Sequence, residues 1–130
     1  MELPDTADLE SFAWLNLVGV DSWLPFTPVF TSLTVVGATT YTGRWRAVGR
    51  KIEFQVSLLA ATSIASTAGT TYMALPVTPA KGIAGFGTMQ NLTTNVAVGA
   101  CVVDVTNSRI YLPAQTASGN TFAMYGEYEV

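Results

Sequence analysis

Chemistry at a protein surface needs groups that trade protons, attack carbonyls or hold metals, and this chain has few of them. It contains one cysteine, Cys101, and no histidine. Ser-His-Asp and Cys-His machinery therefore lacks its base. Cys101 has no partner for a disulfide and lies in the apolar run VAVGACVVDV, the setting of a small core residue rather than a nucleophile. A zinc site by the usual Cys/His recipe is excluded. What remains is a carboxylate pair of the kind that hydrolyses glycosides. The carboxylates after residue 26 are Glu53, Asp104, Glu127 and Glu129. Glu53 falls on the polar side of an alternating run. Glu127 and Glu129 flank Tyr128 and read as a solvated edge, and no spacing makes two of them converge. The Gly85–Gly87 stretch GFG lacks the GK[ST] and helix of a phosphate loop. The expectation is a protein with no catalytic residues, no cofactor and no metal.

A second group of residues could bind rather than react. Arg44, Arg46, Arg50 and Lys51 are four of the six basic residues. One reading is an anion site for nucleic acid, an acidic glycan or phosphate, with Tyr41 and Trp45 adding stacking. The other is structural: the arginines pair with Glu53 across a hairpin, or with the acidic N-terminal segment of a neighbouring copy. Alternation sends Trp45 to the face opposite Arg44 and Arg46, hence into the core, which favours the second reading. Tyr72, Tyr111 and Tyr125 are the candidate aromatics for a ligand surface, each also suited to a core or an interface.

The elements that position these residues are β-strands. In YTGRWRAVGRKIEFQVSL, residues 41–58, Ile52, Phe54, Val56 and Leu58 alternate with Glu53, Gln55 and Ser57. A period of two marks a strand with one face in a core and one in water. Tyr41, Gly43, Trp45 and Ala47 alternate in the same way, and Gly49 suits the reversal between the two runs. Further strands are expected over 29–36, 70–75, 83–90, 96–105, 109–112 and 121–130, with Phe122, Met124 and Tyr128 pointing inward. Residues 61–69 and 114–120 are small and polar and read as loops. About eight strands without helix-length periodicity predict an all-β, antiparallel β-sandwich, jelly-roll-like in character.

Residues 1–26 stand apart from residues 27–130. They hold Glu2, Asp5, Asp8, Glu10 and Asp21, no basic residue, and the apolar Trp14, Trp23 and Phe26. They read as an extended docking arm in front of the sandwich domain. An acidic segment is the wrong sign for a nucleic-acid arm. No run approaches the about 18 apolar residues of a membrane helix, and the acidic start is not that of a signal peptide. At 130 residues the chain fits one domain, which buries roughly two-thirds of its unfolded surface. Charged residues are only 12% of the chain, about half the usual share. So few charges point to a surface partly covered by other copies or other proteins.

The stretch from Trp23 to Val130 resembles the C-terminal β modules of tailed-bacteriophage fibres and related virion proteins. The features that carry the resemblance are WLPFTPVF, YTGRWRAVGRKIEFQVSL, YMALPVTP, SRIYLP and the terminal TFAMYGEYEV. The resemblance implies a homotrimeric, non-enzymatic virion protein, located on the particle after synthesis in the host cytoplasm. With no shaft before Met1, a short capsid-decoration, head-fibre or tail-fibre-type protein is expected, attached to other virion proteins by its arm. The alternative is a module that binds a host receptor or carbohydrate at a tail tip. Trp14, Trp23, Phe26, Arg44, Arg46, Arg50 and Lys51 are the expected contacts of the arm or of subunits. Neither nucleic-acid binding nor membrane insertion is expected.

Overall fold

A computed structural model describes residues 22–130. They form the expected all-β antiparallel β-sandwich. Its strands are β1 (Leu24–Phe26), β2 (Phe30–Thr31), β3 (Thr34–Val36), β4 (Thr40–Val48), β5 (Lys51–Leu59), β6 (Ser63–Ser66), β7 (Tyr72–Ala74), β8 (Phe86–Asn91), β9 (Val96–Asp104), β10 (Arg109–Tyr111), β11 (Gln115–Ser118) and β12 (Thr121–Glu129). Nine of them make one sheet in the order β1-β4-β5-β12-β8-β9-β10-β7-β2, and β11-β6-β3 make a second. β1 precedes residue 27, the expected start of the sandwich, yet it pairs with β4.

The connectivity dictates the shape of the larger sheet. β1 and β2 occupy its opposite edges, but only Thr27, Pro28 and Val29 lie between them. Laid flat, nine strands at roughly 4.8 Å spacing would separate the edges by about 38 Å. The four Cα steps from Phe26 to Phe30 reach at most about 14 Å. The sheet must therefore roll until its edges nearly meet. Phe30 and Tyr41 close the seam with ring centroids 5.0 Å apart, and Ala74 N–H donates to the Val29 carbonyl at 3.1 Å. The connection passes over Gly43: a Cβ there would lie 2.8 Å from the Phe26 ring and 2.9 Å from Pro28.

Inside the roll lies one core. β5 and β12 alternate strictly between buried and half-buried positions. They contribute Ile52, Phe54, Val56, Leu58, Phe122, Met124 and Tyr128. Met89, Cys101, Ile110 and Met73 fill in from the strands beyond, and Ile64 enters from the small sheet. Tyr128 also ties down a loop: its hydroxyl donates to the Val77 carbonyl at 2.7 Å and accepts from Val77 N–H at 3.0 Å.

Local chemistry sets the turns. Val48 pairs with Lys51, so the β4–β5 turn is the two residues Gly49 and Arg50. Gly49 has φ 63° while Arg50 is not left-handed, the requirement of a type II′ turn. The β8–β9 and β9–β10 loops share another device. The Asn91 Oδ1 accepts from Thr93 and Thr94 N–H, and the Asp104 Oδ1 accepts from Thr106 and Asn107 N–H. Each of these loops ends on a residue of positive φ, Asn95 at 60° and Ser108 at 55°.

Three expectations are corrected here. The 29–36 strand breaks at Ser32, whose φ is 61°, and its halves join different sheets. Residues 61–69 and 114–120, expected as loops, contain β6 and β11. Glu127 is not at an edge, because β12 runs between β5 and β8.

If the roll depends on the linker crossing Gly43, Gly43→Val forces the linker off and costs about 1–3 kcal/mol, the usual range for overpacking. Thr42→Val, next door on the outer face, should stay within about 0.5 kcal/mol of wild type. Urea denaturation followed by tryptophan fluorescence measures both.

Candidate functional site

The outer face of the rolled sheet collects many of the charged and aromatic residues singled out above, and strand register places them in rows. One row crosses seven strands from β4 to β7: Arg46, Glu53, Glu127, Phe86, Val102, Tyr111 and Tyr72. It begins charged, turns apolar in the middle of the sheet and ends aromatic.

At the charged end, Trp23 lies across two arginines, with the Arg44 and Arg46 guanidinium carbons 4.7 and 4.6 Å from its ring centroid. Stacking of this kind uses the flat, weakly hydrated face of the guanidinium and leaves its edge free for hydrogen bonds. Arg46 Nε reaches Glu53 Oε1 at 2.8 Å. The expected pairing of an arginine with Glu53 across the hairpin is therefore present for Arg46. Arg44 instead donates from Nε and Nη2 to Gln55 Oε1, at 2.9 and 2.7 Å. Trp45 faces the other way and packs against the core.

Glu53 and Glu127 stand directly opposite on neighbouring strands, an arrangement that is repulsive unless compensated. Lys51 supplies the compensation, with Nζ 3.6 Å from Glu53 and 3.1 Å from Glu127. The Arg46 hydrogen bond, opposed in part by burial, holds the Glu53 carboxyl below its usual range. The hydrogen bond and charge of Glu127 raise the Lys51 ammonium. A carboxyl held ionised does not serve as the proton donor of a glycosidase, which needs its pKa raised. The two carboxylates that converge are thus bound up in ion pairs.

The aromatic end is a second cluster. Tyr72 and Tyr111 meet edge to face at 5.7 Å. Arg109 stacks on both, 4.4 and 5.3 Å from the two centroids, and its Nε reaches Asp104 Oδ2 at 3.3 Å. Tyr125, the third aromatic named from sequence, is elsewhere, on β12 beside Glu127 with its hydroxyl 3.4 Å from the carboxylate. Phe26 belongs to the seam over Gly43 rather than to the outer face. Arg50 sits exposed in the hairpin turn, where its carbonyl accepts from Val130 N–H at 2.8 Å. Trp14 and the acidic segment before Ser22 lie outside the described residues.

Between the two ends, Phe86 and Val102 are 62% and 63% exposed on adjacent strands inside the sheet. Ala100 is exposed beside them on β9. Alternation is the signal that could have found them, since Phe86 and Val102 fall on the face opposite the buried Gly87 and Cys101. Cys101 points inward, and burial pushes its thiol up to about 12, so it is protonated and unreactive at neutral pH. Among the described residues no group of His, Cys, Asp and Glu could hold a metal ion, and no helix is long and apolar enough to cross a membrane. No family model matches the chain, and neither the curated proteins nor the solved structures contain a match to it.

The charge network fixes how stability depends on pH. Glu53 and Asp104 are held below their ordinary values of 4.5 and 3.8, so their contribution is present above those values and is lost as pH falls through the lower folded ones. Cys101 and Tyr128 are raised from 9.0 and 10.0 to about 12, so theirs is complete below 9 and is lost as pH climbs towards 12. Thermal melts should show a plateau from about pH 5 to 9 with a fall on both sides. Replacing Cys101 with Ala should flatten the start of the alkaline fall.

Proposed function

We propose that this chain is a non-enzymatic virion structural protein of the phage decoration, head-fibre or tail-fibre type. It forms a homotrimer and attaches to other virion proteins through its N-terminal region. The observation that carries the reading is the apolar centre of the outer sheet face. Phe86 and Val102 are each more than half exposed on strands that lie inside a nine-stranded sheet. A water-facing sheet normally presents polar side chains there. An uncovered Phe-Val-Ala patch marks a contact surface.

Three further features support it. The low charge content suits a chain whose surface is shared with neighbours. The ionic groups flanking the patch largely neutralise one another, as at the rim of an interface. The described residues carry six basic and four acidic side chains, whereas residues 1–21 carry five acidic and no basic ones. The basic side of the outer face, Arg44 and Arg46 around Trp23, is therefore opposite in sign to the arm of a neighbouring copy. The resemblance to phage β modules supplies the virion context and the number three.

Sedimentation equilibrium on the full chain tests this. The expected mass is that of three 13.8 kDa chains. Phe86→Glu with Val102→Glu should weaken association by at least about tenfold, since two buried apolar side chains are replaced by charges. Arg44→Glu with Arg46→Glu should weaken it if the acidic arm docks there. A monomeric wild type, or a mass unchanged in the Phe86/Val102 variant, contradicts the proposal.

A further inference from the structure

Beside the apolar patch, the outer face is cut by a trough of about 310 Å³. Its origin lies in side-chain size. Thr42, Ser57, Ala123 and Gln90 form one row across β4, β5, β12 and β8, and three of the four are small. The next row, Arg44, Gln55, Tyr125 and Thr88, stands taller and makes a wall. Three strand spacings give the trough a length of about 14 Å. Its volume is at the lower end of the range for ligand sites, about 300–1,000 Å³.

Most of the lining is carbon, with polar groups placed along it. Thr42, Ser57 and Thr88 bring hydroxyls, Gln55 and Gln90 bring amides, and Tyr125 brings an aromatic ring. Arg44 is the one charged lining residue, and no carboxylate lines the trough. Both Arg44 bonds to Gln55 end on Oε1, which fixes the guanidinium along the wall and leaves the Gln55 amide nitrogen to donate. Stacking on Trp23 holds the same guanidinium from its other side.

We propose that this trough binds an anionic saccharide, a short oligomer of carboxylated sugars, with Arg44 and Gln55 meeting the carboxylate, the hydroxyls and Gln90 meeting ring hydroxyls, and Tyr125 supporting a ring face. Competing ligands fit less well. A peptide strand adds to a sheet edge through main-chain bonds, whereas the backbone beneath the trough is consumed by ladders on both sides. Single-stranded nucleic acid needs several cations and successive stacking platforms, and the trough has one of each. The saccharide proposal uses only the geometry of one chain, and an acidic arm docked on Arg44 would compete with the ligand for that guanidinium.

The test is an NMR titration of the isotopically labelled full chain with trigalacturonate, and in parallel with the neutral maltotriose. The expected result is saturable shifts at the Thr42, Ser57 and Ala123 amides, with the acidic trimer binding at least about tenfold tighter than the neutral one. Arg44→Gln should remove most of that difference, and Ala123→Leu, which fills the trough, should abolish binding while the melting temperature is retained. No saturable shift at these amides up to about 10 mM trigalacturonate overturns the proposal, as does binding indifferent to both substitutions. A trimer that binds no uronate, or a monomer that does, separates this proposal from the one above.

Discussion

Three residues hold this fold to its shape. Thr27, Pro28 and Val29 join strands at opposite edges of a nine-stranded sheet, and no flat or gently twisted sheet allows so short a link. The rolled sheet gives every strand an inside and an outside. The inside receives Ile52, Phe54, Val56, Leu58, Phe122, Met124 and Tyr128 and becomes the core. The outside becomes one continuous surface on which residues far apart in sequence line up in rows. Gly43 is the local condition for this, since a side chain there would stand where Phe26 and Pro28 cross.

The magnitudes on that outer surface decide how it is best understood. Its ion pairs are half-buried groups that still reach water, and surface pairs of that kind contribute little net stability. They settle which charges tolerate one another, as Lys51 does for Glu53 and Glu127, rather than holding the fold together. Burying the side chain of Phe86 against a partner is worth more, about 1.5–3 kcal/mol. The energetically consequential feature of the face is thus its uncovered apolar centre, and in the proposed assembly the charges around it set orientation and specificity. Glu53 is kept ionised by Arg46, and the Cys101 thiol is kept protonated by burial.

Much of the large sheet was legible because its long strands carry strong patterns. Residues 41–58 alternate so regularly that the hairpin, its turn at Gly49 and the inward set Ile52–Leu58 follow from period alone. Of the small sheet, β3 lies within the strand expected over 29–36, but β6 and β11 were not legible. β6 reads SIAS and β11 reads QTAS, sequences without the aromatic and β-branched weight of a strand, and they are strands because the rolled sheet presents them to each other. The break at Ser32 was hidden because a left-handed serine carries no glycine signal. The charge pairing of Arg46 with Glu53 could be foreseen from the hairpin. The meeting of Glu53 with Glu127, and of Arg109 with Tyr72, could not, since each joins neighbouring strands that are far apart in sequence.

The central claim, that the middle of the outer sheet face is covered in the working protein, can be measured at the side chains themselves. Hydroxyl-radical footprinting of the full chain, compared between dilute and assembled samples, reports the solvent access of Phe86. The expected result is strong protection of Phe86 on assembly, while the equally aromatic but turned-in Phe122 is unreactive in both. Equal labelling of Phe86 in the dilute and assembled samples would show that the face stays open to water and would contradict the claim.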